Sequence, residues 1–197
     1  MFNFGKVKMN SKDLAEIAIS ALNTLMENLP NLISRVLKEF KDIADKNFDG
    51  NLLKEIYAEI LEKFNESQEI NTNEDLERYR YEILLLIASS LHIALINFCP
   101  NNQISKSISD NYLKSLFNSK EGSSLEPSDY IERFNAYQKL LDGKQDQIGV
   151  EFSLFLNDGK IVLENGLTEQ WIGNGIFFDT FNMFNKQVKK NKIIIVE

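Results

Sequence analysis

Residues 83–99 run Ile-Leu-Leu-Leu-Ile-Ala-Ser-Ser-Leu-His-Ile-Ala-Leu-Ile-Asn-Phe-Cys, without one Asp, Glu, Lys or Arg. A run of this kind must leave water, either into a bilayer or into the middle of a fold. Its length sits at the short limit of the roughly 17–25 residues that span a membrane, and it carries Ser89, Ser90, His92 and Asn97. Arg78 and Arg80 on its N-terminal side would suit a positive-inside anchor, but the segments around it are amphipathic rather than lipid-compatible. The expectation is a buried core helix about which the rest of the chain packs.

The same run holds the only histidine and the only cysteine, His92 and Cys99. On a straight helix they lie about 10 Å apart along the axis, too far for a thiolate–imidazole pair. A zinc site needs about four His, Cys or carboxylate ligands, and a nucleophilic triad needs a base beside its nucleophile. No catalytic residue, metal or cofactor is therefore expected. His92 reads as a neutral core histidine and Cys99 as a small hydrophobe.

Composition narrows the partners. With 197 residues, 43% hydrophobic and 26% charged, the chain can bury one sizeable core. Its formal charge of −7 disfavours nucleic acid and anionic lipid as partners. One cysteine cannot form an internal disulfide, which fits a cytoplasmic setting. Residues 1–10 lead into no uninterrupted apolar run, so no signal peptide is expected.

Helical periodicity sets the architecture. Leu14, Ile17, Ala18, Ala21, Leu22, Leu25 and Leu29 make a first stripe, with Ser11 as its cap. After Pro30 comes a second stripe, Leu32 to Ile43, and after Asp49-Gly50 a third, Leu52 to Phe64. The central helix is expected from Thr72 or Asn73 to Pro100. Shorter helices follow through Ile108–Phe117 and, capped by Ser128, through Tyr130–Leu141. A last one runs from Thr168 to about Lys190, with Phe177, Phe181, Phe184 and Val188 on one stripe.

One segment is ambiguous. Around 149–164, apolar runs flank Asn157-Asp158-Gly159, a strong hairpin signal. The spacing of Ile148, Phe152 and Phe155 instead fits a helix that the same tripeptide would end. With no persuasive strands upstream to pair with, the helix is favoured. The fold class is then all-α, a single helical domain over 1–197 with six or seven helices around a buried central one. Residues 1–10 and 191–197 are terminal tails, and the alternative is α+β with a hairpin at 149–164.

Several constellations resolve into ordinary structure. Asp45-Lys46-Asn47-Phe48-Asp49-Gly50 resembles the front half of a calcium loop, but loop position twelve falls on Ile56, which has no carboxylate. Glu55, Glu59, Glu62 and Glu66 share a face that Lys54 and Lys63 flank, the pattern of a solvated helix. Gly173-Asn174-Gly175 lacks the preceding strand and third glycine of a phosphate loop.

One polar set stands apart. Arg78 and Glu82 are spaced i, i+4 on the approach to the apolar run, and Arg133 and Tyr137 are spaced alike on a largely apolar helix. A charge beside a buried stripe needs a partner, so these four are expected either to meet across the interface between the helices or to line a small polar pocket as the binding site. The expected function is a protein-interaction or scaffold bundle that self-associates, with the apolar run 193–196 as a docking segment, either between chains or folded back onto its own bundle. A homo-oligomer or protein partner is expected. The alternative is a small-molecule or acyl-chain binder with a cavity lined by Phe152, Phe155, Phe177 and Phe181. Enzymatic activity through carboxylates and tyrosine has no positive support.

Overall fold

Over its second half the long helix Asn73–Asn97 has no face left for water: every residue from Glu82 to Leu95 is buried. A helix stretch that is apolar all round is either a core element or a membrane span, and this one is covered by the rest of the fold. In this computed structural model, which describes residues 7–47, 73–99, 101–160, 166–191 and 193–195, it packs against five others. In chain order the elements are β1 (Val7–Met9), α1 (Ser11–Glu27), α2 (Leu29–Asn47), α3 (Asn73–Asn97), α4 (Asn102–Phe117), α5 (Pro127–Leu140), α6 (Ile148–Leu156), α7 (Gly166–Lys190) and β2 (Ile193–Ile195). Single 3-10 turns at Gly122–Ser124 and Gln145–Gln147 lead into α5 and α6. The architecture is an all-α bundle with α3 at its centre, touching α1, α4, α5, α6 and α7. The third expected stripe (52–64), the Glu55–Glu66 face and the calcium-like loop from Phe48 onward lie outside the described residues.

Among the described residues α3 is the one helix long and apolar enough to cross a membrane, and 78% of its apolar window is buried within the fold. Its hydrophobicity is spent on neighbouring helices. Leu84, Leu85, Leu86, Ile87, Leu91, Ile93 and Leu95 all join the core cluster. Each such side chain contributes roughly 1.5–3 kcal/mol when fully buried.

The segment around 149–164 is helical as far as Leu156, as favoured. The Asn157-Asp158-Gly159 tripeptide ends α6: Gly159 N–H donates to the Leu154 carbonyl at 2.8 Å. Asp158 is left-handed at φ 52° and Gly159 at φ 76°. This is the glycine-type helix stop, with aspartate in the position glycine usually takes. The hairpin does not form over these residues.

Two local expectations are corrected. Asn10, not Ser11, caps α1, accepting from Asp13 N–H at 2.8 Å, while Ser11 Oγ lies 2.9 Å from Ser107 Oγ. Ser128 does not cap α5, because Pro127 already occupies its first turn, the position whose missing N–H costs nothing. A side chain from α3 serves there instead: the Tyr81 hydroxyl accepts from Glu126 N–H (3.2 Å) and donates to Asp129 (2.8 Å). The docking expected of the 193–196 run takes its within-chain form over residues 193–195. Val7, Lys8 and Met9 pair in parallel with Ile193, Ile194 and Ile195. Met9, Ile193 and Ile195 pack on the core, which gives the β-branched run an apolar floor to lie on.

Close approach of helices explains the glycines of 173–175. A Cβ on Gly173 would meet the Phe152 ring at 2.7 Å, and one on Gly175 would meet Val36 at 2.2 Å. Opposite them, a Cβ on Gly149 would fall 1.9 Å from the Gln170 carbonyl oxygen. Asn174 between the two glycines accepts from Gly149 N–H at 2.9 Å, capping the first turn of α6 from a neighbouring helix. The G-x-G is a packing surface between α2, α6 and α7.

Candidate functional site

Three of the four expected residues meet at Phe155 on α6, two on its ring and one on its carbonyl, and the fourth, Glu82, joins them through Arg133. Arg133 on α5 lays its guanidinium over the Phe155 ring, 4.0 Å from the centroid. Tyr137, one turn further along α5, meets the same ring edge-on at 6.0 Å. Arg78 on α3 donates to the Phe155 carbonyl oxygen at 3.0 Å. Glu82, one turn after Arg78, holds the guanidinium of Arg133 from the other side, accepting from Nη2 at 2.8 Å and Nε at 3.3 Å.

Burial makes the Glu82–Arg133 pair the strong member. Their side chains are 4% and 13% exposed, so neither charge can be left to water. Burial pulls the Arg133 pKa down, but the hydrogen bond and charge of Glu82 outweigh it and leave the pKa raised. Glu132 takes the remaining side of the guanidinium. The fork of Arg133 is thus filled by two carboxylates and an aromatic face.

Arg78 does not pair with Glu82, its neighbour one turn away. It reaches Asp158 instead, with contacts of 2.6 and 3.0 Å. That hydrogen bond raises the Arg78 pKa and holds the Asp158 carboxyl below the usual carboxylate range. Sequence reasoning missed Asp158, Glu132 and Phe155 as members of this group. Asp158 carried a signal only as a turn residue, and nothing in spacing brings the end of α6 to the start of α3.

The Tyr137 hydroxyl is the open valence. The residue is fully buried, and its oxygen has no hydrogen-bond partner among the described residues. Its ring lies between Phe155 and Phe177, 5.9 Å from the latter. Burial, followed by the charge of Glu82, pushes the Tyr137 pKa well up, so it is a neutral donor or acceptor and not a base. Thr180 Oγ1, one turn beyond Phe177 on α7, is likewise buried and unpartnered, as is Ser89 Oγ on α3. Ser90, beside it, donates to the Phe177 carbonyl at 2.8 Å. The aromatic set expected to line a cavity is interlocked: Phe152 and Phe177 are fully buried, Phe177 stacks on Phe181 at 6.3 Å, and Phe152 meets Tyr79 at 6.2 Å.

His92 belongs to a separate group further along α3. Its Nδ1 lies 2.8 Å from the Tyr130 hydroxyl and its Nε2 2.6 Å from Ser109 Oγ. The rings of Phe134 and Tyr112 flank it at 4.5 and 4.8 Å. Burial lowers its pKa to about 4. Both nitrogens are engaged and the ring is neutral near pH 7, so it joins α3, α4 and α5 rather than shuttling protons. Cys99, just past the end of α3, is half-buried and donates to the Leu95 carbonyl of that helix at 3.3 Å, away from this group. Among the described residues no group of three or more His, Cys, Asp or Glu is placed to hold a metal ion. Comparison of the chain with family models, with curated proteins and with solved structures finds no match.

Proposed function

We propose that this chain is a protein-interaction domain that receives an extended segment of its partner at the short sheet where its two ends meet. The reading rests on one observation. The strands Val7–Met9 and Ile193–Ile195 pair only with each other among the described residues, so each keeps an unpaired outer edge. Val7 and Ile194 are 41% and 36% exposed there. A strand edge with unsatisfied backbone groups is a template for one more strand, and apolar side chains beside it add affinity. The tail is already engaged within the chain, so it serves as an acceptor of a strand and not as a free donor.

Selection from a random peptide library, followed by mapping of the binders through backbone amide shifts, tests this reading. Binders should perturb residues 7–9 and 193–195; if none does, the reading is abandoned. Self-association through the same edge is its homotypic form, and light scattering over a range of concentrations detects it. The single thiol fits a cytoplasmic setting for either form.

A second reading, a small-molecule or acyl-chain binder, draws on the buried unpartnered hydroxyls of Tyr137 and Thr180 beside Phe155, Phe177 and Phe181. A buried hydroxyl needs a partner, and a polar-headed apolar ligand would supply one. Native mass spectrometry of the purified protein tests it: a retained small molecule supports the reading, and an unmodified mass together with no thermal shift across a fatty-acid series removes it.

A further inference from the structure

We infer that the segment received at this sheet is acidic. The inference rests on the interaction reading above and adds the chemistry of the partner. Lys8 sits in β1 opposite Ile194, and Lys186, Lys189 and Lys190 stand on the last turns of α7 that lead into β2; all four are exposed. None of them takes part in an ion pair among the described residues. In the sequence, Lys6 directly precedes β1 and Lys192 directly precedes β2. Residues 1–10 contain no acidic residue, and residues 180–197 contain only Glu197. A chain with a net charge of −7 therefore sets four of its 22 basic residues, among the described ones, on and beside one short sheet, and the remainder is more acidic still.

Charge and geometry together select the occupant. An open strand edge offers backbone donors and acceptors, which an extended peptide can use and a lipid surface cannot. The lysines around it reward carboxylates and penalise a basic segment. A second copy docking edge to edge would bring Lys8-bearing or Lys190-flanked strands side by side, a like-charge juxtaposition. An acidic extended segment satisfies both the edge and the lysines.

The test compares two short amidated peptides, one alternating Glu with Thr and one alternating Lys with Thr, against the full chain by amide shift titration. The acidic peptide should shift residues 7–9 and 193–195 and bind about tenfold more tightly, or better, at low salt, with the gap narrowing as salt rises. The variant Lys8→Glu/Lys189→Glu/Lys190→Glu should reverse that order while its far-ultraviolet circular dichroism stays unchanged. Should that variant not fold, Lys189→Gln/Lys190→Gln should still narrow the gap. Equal affinity for the two peptides overturns the inference and leaves the interaction reading standing. Binding of neither peptide, with an empty library selection, overturns both. Shifts of the same amides by phosphatidylglycerol vesicles or a single-stranded oligonucleotide, without binding of the acidic peptide, would replace the peptide with an anionic surface or nucleic acid.

Discussion

Arg78 closes on Asp158 at 2.6 and 3.0 Å, and Asp158 is the left-handed residue, φ 52°, that stops helix α6. The same guanidinium takes the Phe155 carbonyl, one of the last acceptors of that helix. A cation at a helix C-terminus is favourable, and here it also fixes a backbone conformation that a non-glycine residue resists. Two substitutions separate these contributions. Asp158→Ala keeps the strain and loses the ion pair, so its melting temperature should fall. Asp158→Gly loses the pair but relieves the strain, and should melt above Asp158→Ala. The reverse order would mean that the left-handed turn carries no cost.

The Glu82–Arg133 pair should behave as a buried couple. Arg133→Ala leaves a carboxylate that is 3% exposed without its cation. Loss of one partner from such a pair costs about 3–5 kcal/mol. The double variant Glu82→Leu/Arg133→Met removes both charges and keeps apolar contact with Phe155, so it should recover much of the loss. Urea denaturation of Glu82→Leu, Arg133→Met and the double variant measures the coupling, and strictly additive losses would contradict the geometry.

His92 gives the fold a pH dependence whose sign follows from its depressed pKa. Folded, the ring titrates at about 4; unfolded, at an ordinary 6.5. Below 6.5 the unfolded chain takes up a proton that the folded chain refuses, so stability should fall as pH drops from about 6.5 to 4 and level off below that. The full excursion is roughly 3 kcal/mol at 1.36 kcal/mol per unit. His92→Asn should be less stable at pH 7 by about 1–3 kcal/mol, through a disturbed pair of buried hydrogen bonds, and should lose this slope. An unchanged slope in the variant would assign the pH dependence to other groups.

Periodicity and punctuation made most of the helices legible. The apolar stripes, Pro100 and the Asn157–Gly159 stop are local signals, and α3 announces its burial through an unbroken apolar run. Arg78, Glu82, Arg133 and Tyr137 were legible as a group because each is polar on an otherwise apolar approach. Their hub, Phe155, was hidden, since one phenylalanine among 14 carries no mark of its neighbours. The Tyr81 cap on α5 and the Asn174 cap on α6 come from distant elements and leave no trace in local sequence. The parallel pairing of Val7–Met9 with Ile193–Ile195 was out of reach for the same reason: only the C-terminal half looks like a strand.

Gly149 illustrates a further kind of hidden information. Alanine is ordinarily about 1 kcal/mol better than glycine inside a helix. Here the added methyl would fall 1.9 Å from the backbone oxygen of Gln170, which has no rotamer by which to move aside. Gly149→Ala should therefore destabilise, by about 1–3 kcal/mol for forced repacking, rather than stabilise. Thermal or urea denaturation decides it, and a stabilised Gly149→Ala would mean that α6 and α7 slide apart without cost.

The terminal strands make the last test. Ile193 and Ile195 pack against the core beside Met9, and the register ties both ends of the chain to one place. Deleting residues 193–197 takes these side chains out of the fold and leaves Val7–Met9 unpaired, so the melting temperature should fall. Two partly buried isoleucines correspond to at most about 3–6 kcal/mol on full-burial values, and each kcal/mol lowers the midpoint by about 2–4 °C for a chain of this size. Because the pairing is within the chain, the deletion should leave the oligomeric state as it was. A drop from oligomer to monomer would instead mean that the same strand is exchanged between copies. No change in either quantity would mean that the short sheet does not form in solution, and the docking edge proposed above would have nothing to stand on.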